Sequence, residues 1–233
     1  MKIGIFADVH GNLAAFENIY RELKKERCDM HLFLGDICGY YYRQKEIIDM
    51  LVDMPHLEAI TGNHDLLFLK SLGKKNAMRR YTEIYGLSFE FLKESITPRH
   101  LDFLRDLPGE FFWEEQGIAA FHGSPWDPIE EYVYPDSPLD RFEGLPYKVV
   151  FLGHTHYSMD IQLQGIRVIN PGSAGQPRDG AWPTYALYNT RTNKPEIKQV
   201  HYDVNVLVNE IKKRKDDNSY LIEVLHRIKG WKN

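Results

Sequence analysis

The chain has 233 residues, 43% of them apolar and 13% aromatic, enough to bury a substantial core. Its formal net charge is −4 with a pI near 6.2, so no basic surplus directs it toward nucleic acid or an anionic membrane surface. The two cysteines, Cys28 and Cys38, have neither the number nor the spacing of a disulfide framework or a zinc ribbon, and no apolar stretch approaches the ~20 residues that span a bilayer. The first apolar run is also too short for a signal peptide. Reduced thiols in a cytoplasmic protein, with neither membrane nor nucleic acid as partner, are the expectation.

Residues 2–7 are a near-continuous apolar run, a predicted strand that ends on Asp8. Leu13, Phe16, Ile19, Tyr20 and Leu23 then repeat at helical spacing through Lys25, with Asn12 placed as N-cap. A second strand, His31 to Leu34, ends on Gly35-Asp36. After a loop carrying Tyr40, Tyr41 and Tyr42, an amphipathic helix is expected over Gln44 to Met54. A third strand, Leu57 to Ile60, runs into Thr61-Gly62-Asn63-His64-Asp65, read as a loop at the strand's carboxyl end. This βαβαβ order implies a sheet with helices packed on it and a site at the strand ends.

Residues 66–107 read as a helical excursion, within which Thr97 and Pro98 mark an N-cap and the first position of a helix that stops before Pro108-Gly109. Strands return at Glu110 to Trp113 and at Ile118 to Phe121, the latter ending on His122-Gly123-Ser124. Residues 125–146 are rich in proline and acidic groups. A loop of that length in a compact protein is more often functional than idle. Lys148 to Leu152 is a buried strand ending on Gly153-His154-Thr155-His156. Ser158 to Leu163, Ile166 to Ile169, Thr184 to Tyr188 and Glu196 to His201 are shorter strands whose turns suit antiparallel pairing. From Val204 the tail reads as two helical segments, the second striped by Leu221, Ile222, Leu225 and Ile228. Its basic run, Lys212 to Lys215, is offset by Asp216-Asp217 and reads as a solvated helix face.

Five strands thus end in small or polar residues that carry a potential ligand: Asp8-Val9-His10, Gly35-Asp36, Gly62-Asn63-His64-Asp65, His122-Gly123 and Gly153-His154-Thr155-His156. Residues two apart on an extended backbone point to one face, so Asp8 with His10, and His154 with His156, are expected to converge. His31, His56, His100, His201 and His226 lie outside these stretches and read as surface or packing residues. Carboxylates, an amide oxygen and imidazoles without a thiolate suit Mn, Fe, Co, Ni or Zn as divalent ions. Seven candidate ligands exceed the roughly four that one zinc takes, which points to two metals sharing a carboxylate.

These five blocks, in this order, resemble the signature of the calcineurin-like metallophosphoesterase superfamily: D-x-H, G-D, G-N-H-[DE], H and G-H-x-H. Gly35 to Tyr40 and Asn170 to Arg178 further resemble a bacterial and archaeal branch related to diadenosine tetraphosphatase and to serine/threonine protein phosphatases. The resemblance implies one metal held by Asp8, His10 and His156, a second by Asn63, His122 and His154, and Asp36 as the bridge. It implies that His64 is no ligand but contacts the substrate phosphate and assists the leaving oxygen. Asp65 either orients His64 or is simply an acid favoured at a helix N-terminus. One departure stands out. The protein phosphatases follow their G-D block with an Asp-Arg pair, whereas here Ile37-Cys38-Gly39-Tyr40 follows. Arg178 is a candidate replacement for the phosphate-gripping arginine, its alternative being a surface arginine on a hairpin turn. Tyr40, Tyr41, Trp126 and Trp182 are candidates to stack on a base or aromatic leaving group, or are packing residues.

The expected function is a dinuclear metal-dependent phosphoesterase acting on a small phosphate mono- or diester, nucleotides included, with water activated at the metals. The alternative is a non-catalytic metal-binding scaffold on the same fold. The expected fold is α/β: one metallophosphoesterase domain over 1–233, a four-layer αββα sandwich of two mixed sheets flanked by helices, with the helical insertion at 66–107 and the helical tail at 204–233.

Overall fold

The computed structural model describes residues 1–231; residues 232 and 233, the end of the predicted tail, lie outside the described residues. The opening pattern folds as its spacing demands. Strand β1 (Lys2–Phe6), helix α1 (Leu13–Glu26), strand β2 (Met30–Phe33), helix α2 (Gln44–Val52) and strand β3 (Leu57–Ala59) follow in order, with β1–β2 and β2–β3 paired in parallel. Asn12 caps α1, its side chain accepting from the Ala15 N–H at 3.2 Å. The alternation along β1 sends Ile3 and Ile5 to one face and Phe6 to the other, where Phe16 of α1 packs with ring centroids 5.4 Å apart.

The helical excursion comprises α3 (Asn63–Ser71), α4 (Lys75–Tyr85), α5 (Ser88–Ser95) and α6 (Pro98–Asp106). It starts three residues earlier than expected. Gly62 is the N-cap, and Asn63, His64 and Asp65 form the first turn of α3 rather than a loop. Helix α6 opens on Thr97 and Pro98 as predicted, with the Thr97 N–H donating to His100 Nδ1 at 3.2 Å.

The second half supplies β4 (Glu110–Trp113), β5 (Ile118–Phe121), β6 (Val149–Phe151), β7 (Ser158–Gln162), β8 (Arg167–Pro171), β9 (Thr184–Asn189) and β10 (Lys194–Gln199). Two mixed five-stranded sheets result, ordered β10-β9-β1-β2-β3 and β4-β5-β6-β8-β7. Strands β5, β6 and β8 run parallel, while β4, β7, β9 and β10 pair antiparallel with their partners. Ile3, Ile5, Leu32, Leu34 and Ile60 of the first sheet meet Ile118, Val149, Phe151 and Ile169 of the second in the sandwich interior. Each such fully buried apolar side chain contributes ~1.5–3 kcal/mol.

The fold is therefore the α/β sandwich expected, with eight α-helices among the described residues. Its two outer layers differ. Helices cover the first sheet, whereas residues of the proline-rich segment (Val133, Leu139 and Phe142) cover Phe121, Val150 and Val168 on the second. In the tail, α7 (Val204–Arg214) is a regular helix, but the second segment breaks into α8 (Tyr220–Glu223) and a 3₁₀ turn over Leu225–Arg227. Leu221, Leu225 and Ile228 are buried against Tyr40, Tyr41 and Tyr42, and Ile222 is only partly buried. No helix among the described residues is long and apolar enough to cross a membrane.

Candidate metal centre

Strands β1, β2, β3, β5 and β6 deliver the five ligand-bearing blocks to one edge of the sandwich, beyond their carboxyl ends. The local backbone is not the extended chain the residue spacing suggested. Asp8 (φ 56°), His10 (φ 48°), Asp36 (φ 67°), His154 (φ 67°) and His156 (φ 62°) all occupy the left-handed region. Outside glycine that conformation costs ~1–3 kcal/mol per residue, and it concentrates where a site dictates side-chain direction. As a result His154 and His156 point into neighbouring but different groups of ligands. Asp8, His10 and His156 form one, and Asp36, His122 and His154 the other, each with its ligand atoms within 4.8 Å of one another.

The hydrogen bonds fix which nitrogen of each imidazole is free. Nδ1–H of His10 donates to the Cys38 carbonyl (2.7 Å), that of His156 to the Gln176 carbonyl (2.6 Å) and that of His122 to the Leu34 carbonyl (2.7 Å). A carbonyl only accepts, so each of these rings keeps its proton on Nδ1 and turns Nε2 inward. His154 is the reverse: Nε2–H donates to the Glu130 carbonyl at 3.2 Å, leaving Nδ1 for the site.

Between the two groups lies Asp36, whose Oδ2 is 3.6 Å from His10 Nε2 and 3.4 Å from His122 Nε2. Asn63 Oδ1 is 3.1 Å from His122 Nε2, which adds the amide oxygen to the second group. The arrangement fits divalent cations. Both carboxylate oxygens of Asp8 are buried and accept no hydrogen bond, and the bare Nε2 atoms of His10 and His156 face each other at 3.0 Å. A buried carboxylate against unprotonated imidazoles is costly unless a positive charge meets them.

The electrostatics agree. Burial pushes the Asp8 carboxyl up to about 8, against the lowering pull of His122 and aided by Asp36. Burial also works to raise Asp36, but the imidazoles of His122, His64 and His10 outweigh it and hold it well below the usual carboxylate range. Burial alone would lower His122, and Asp36 overcomes it, raising the imidazole to about 9. Burial, with His122 beside it, lowers His154 to about 3, and burial drives His10 and His156 well below the ordinary histidine value. The Asp36 carboxylate thus favours positive charge at His122.

His64 lies beside the ligands. Its backbone N–H donates to Asp36 Oδ1 at 2.9 Å, while its ring is buried with Nδ1 unpaired and, by burial, its titration lowered to about 4. Two glycines make this packing possible. A Cβ on Gly62 would collide with the Asp36 carboxylate, and one on Gly39 (φ 95°) would stand 2.5 Å from His64 Nδ1.

The orienting role considered for Asp65 finds no contact with His64. Its Oδ1 accepts from the Ile37 and Cys38 N–H groups at 2.9 Å, and its Oδ2 from Asp36 (2.9 Å) and Gly62 (3.1 Å). Asp65 thus braces the turn that presents Asp36 and reaches back to the N-cap of α3, the helix-acid alternative in an extended form. Burial, with Asp36 nearby, raises its carboxyl to about 6 despite these donors.

Arg178 comes to the site rather than lying on a surface hairpin. Its Nη2 donates to the Tyr40 hydroxyl at 3.0 Å, and its Nε is buried without a partner. Of the four aromatic candidates, only Tyr40 reaches the ligands, its ring meeting His10 edge-on at 4.7 Å. Tyr41 is a core residue, Trp126 packs on Phe142 and Arg141, and Trp182 packs on His201 and Tyr202.

Other residues at the site carry no signal in the sequence. Tyr85 of α4 lies 4.5 Å from the His64 ring, and Tyr132 stacks on His154 at 3.8 Å. The end of β8 and the turn after it lace the site together: Asn170 Nδ2 donates to the Gly153 carbonyl (2.7 Å), and Ser173 Oγ and the Gly175 N–H donate to the Asp8 carbonyl (2.7 and 3.0 Å). Asn170 and Ser173 sit in the Asn170 to Arg178 stretch, which carried a family resemblance but no periodic or ligand signal of its own.

Residues 1–193 match the family model of the calcineurin-like phosphoesterase superfamily domain. The chain belongs to that superfamily. It is 30% identical to the uncharacterized protein MJ0912 of Methanocaldococcus jannaschii, over 91% of this chain and 93% of that one. Among solved structures it resembles a metallophosphoesterase from Sphaerobacter thermophilus, with a TM-score of 0.81 at 26% identity, covering 98% of this chain and 100% of the other. The hypothetical protein PH1004 of Pyrococcus horikoshii OT3 shares the fold, with a TM-score of 0.80 at 24% identity over 96% of this chain and 97% of its own. Two adjoining groups of candidate metal ligands accord with membership of this superfamily.

Proposed function

We propose that this protein is a dinuclear metal-dependent phosphoesterase that hydrolyses a small phosphate mono- or diester, with nucleotides among the candidate substrates. The observation that carries the reading is Asp36, whose single carboxylate oxygen lies between His10 and His122 and so joins the two ligand groups. Asp8, His10, His156 and Asp36 would hold one ion, and Asn63, His122, His154 and Asp36 the other. Such a pair supplies Lewis acidity that polarises a phosphoryl oxygen and acidifies water. Mn, Fe, Co, Ni and Zn all suit these donors.

The remaining work falls to the chain's own side chains. Arg178, with Nε unpaired, is placed to take a phosphate oxygen, while Tyr40 holds the other end of its guanidinium. His64 binds no candidate cation. Its backbone is tied to Asp36, and its ring, which burial holds neutral, would take up a proton beside an anionic phosphate and pass it to the leaving oxygen. Asp65 braces the Asp36 turn through the N–H groups of Asp36, Ile37 and Cys38, and ties it to the start of α3 through that of Gly62. A cytoplasmic setting belongs to the same reading and accords with two free cysteines. The scaffold alternative has no observation of its own: a scaffold needs neither the full ligand set nor His64 beside it.

A substrate panel tests the proposal. Protein stripped of metal and resupplied with Mn²⁺ is offered aryl phosphate mono- and diesters, nucleotides and dinucleoside polyphosphates. Metal-dependent hydrolysis of at least one class is expected. Activity that survives thorough chelation, or a fully loaded protein inert to the whole panel, would overturn it.

A further inference from the structure

The histidine that is not a ligand is held in an unusual way. His64 Nδ1 is buried and makes no hydrogen bond, so no polar partner fixes the ring's rotation. The ring is instead enclosed by Gly39 and by three other rings: His10 at 4.9 Å, Tyr40 at 5.0 Å and Tyr85 at 4.5 Å between centroids. Gly39, His10 and Tyr40 belong to the loops that build the ligand groups. Tyr85 does not. It is the last residue of α4, in the helical insertion, and is the nearest of the three rings.

What keeps Tyr85 there comes from the far end of the chain. The Asp216 carboxylate accepts from the Leu87 N–H at 2.7 Å and from the Tyr42 hydroxyl at 2.9 Å. Asn218 Nδ2 donates to the Ile84 carbonyl at 2.9 Å. Gly86, which ends α4 at φ 82°, lies so close that a Cβ on it would stand 2.6 Å from the Asp216 carboxylate. Residues on both sides of Tyr85 are therefore fastened by the turn between α7 and α8. That turn is in turn tied to the tyrosine loop, where the Tyr41 hydroxyl donates to the Leu221 carbonyl at 3.2 Å. Insertion and tail thus meet over the His64 ring, whose enclosure Tyr85 completes.

We propose that Tyr85 is a positioning residue for His64, and that the Asp216–Asn218 turn holds Tyr85 in place, so that the helical insertion and the C-terminal tail together aim the proton donor. The proposal rests on the reading of His64 as the group that protonates the leaving oxygen, and it assigns both appendages a role in turnover beyond covering the sheet.

The test compares leaving groups. An alkyl phosphate ester needs its leaving oxygen protonated, whereas a p-nitrophenyl ester scarcely does. Tyr85→Ala is expected to lower kcat on the alkyl ester by about tenfold or more, a fraction of what a general acid supplies, with a several-fold smaller loss on the p-nitrophenyl ester. Tyr85→Phe, which keeps the ring, is expected to restore most of that loss, and metal content is expected to stay at the wild-type level in both. Introducing Tyr85→Ala into a His64→Ala background is expected to cost little more, because the two residues act as one unit. Asp216→Asn or Asn218→Ala is expected to give the same leaving-group signature at smaller amplitude.

Equal losses on both esters, or losses that add to those of His64→Ala, would overturn the proposal. If the metal-loaded wild type hydrolyses no ester, the functional reading fails instead, and the positioning claim is judged on the His64 ring signals in NMR spectra. A single sharp ring environment that broadens or splits in Tyr85→Ala and recovers in Tyr85→Phe supports it; a ring equally ordered in all three overturns it.

Discussion

The two ligand groups share Asp36 yet are built differently. The first, Asp8, His10 and His156, is assembled from strand-end turns that bind one another. Gly175 and Ser173 hold the Asp8 carbonyl, the Ala174 N–H donates to the Ala7 carbonyl, and both imidazoles are pinned through Nδ1 to main-chain carbonyls. The second gathers Asn63 from the first turn of α3, His122 from just after β5 and His154 from the turn after β6. Its His154 depends on the proline-rich segment, through the long bond to the Glu130 carbonyl and through the ring of Tyr132, which is itself 48% exposed. One site is made by the sheet edges alone, and the other is completed by an outer-layer segment. The first is expected to bind its ion more tightly and to exchange it more slowly.

The largest effect is expected at the residue that both groups share. Asp36→Asn removes the charge shared by both groups, and we expect it to weaken both ions and cut turnover by ~10³-fold or more, on the scale of losing a bridging ligand in two-metal catalysis. Metal analysis alongside kcat would detect an outcome in which only one ion is lost. His64→Ala separates chemistry from binding. It is expected to reduce kcat by ~10²–10³-fold while both ions remain, and loss of metal in that variant would make His64 a ligand after all.

The asymmetry itself is sharpened by Tyr132→Ala, which should weaken the second ion by ~10-fold and leave the first unaffected, the range seen when groups behind a ligand are removed. Calorimetric titration resolves the two. Equal weakening of both would contradict the account.

Protonation offers a gentler probe. In the metal-free protein Asp8, raised by burial to about 8, and His122, raised by Asp36 to about 9, both carry protons at pH 7. A raised folded-state value means that ligand atoms are freed only as pH climbs through that value. Loading should therefore release protons at pH 7, and apparent affinity should fall as pH is lowered from 9 toward 6. Titration heats in buffers of different ionisation enthalpy count the protons. The smallest change is expected from Arg178→Lys, which keeps charge but loses the planar fork and should raise KM several-fold, ~3–10, with metal content intact.

Much of this molecule could be read from the chain. Each apolar run that ended on a ligand became a strand, because continuous Ile, Leu, Val and Phe leave a buried strand little alternative when a turn follows. The convergence of Asp8, His10, Asp36, Asn63, His122, His154 and His156 was legible from their order at strand ends. Their backbone was not, since left-handed residues are ordinarily marked by glycine and here they are aspartates and histidines. Asp65 looked like a partner of its neighbour His64, yet the N–H groups that donate to it lie 27 to 29 residues back, on the Asp36 turn. Long-range bonds of that kind leave no periodic trace. Glu130 and Tyr132 were hidden in a segment whose prolines announce only a loop, and Tyr85 looked like any helix residue. The second tail helix failed because Leu225–Arg227 tightens into a 3₁₀ turn, so the stripe wraps onto Tyr40–Tyr42 as short pieces.

On the proposed reading, two ions joined by Asp36 would make one catalytic site. The most direct measurement titrates metal-free protein with Mn²⁺ while following ions bound per chain and hydrolysis of an aryl phosphate ester in the same samples. Activity that stays near zero through the first ion and rises as the second binds is the predicted result. Full activity at one ion per chain would contradict it.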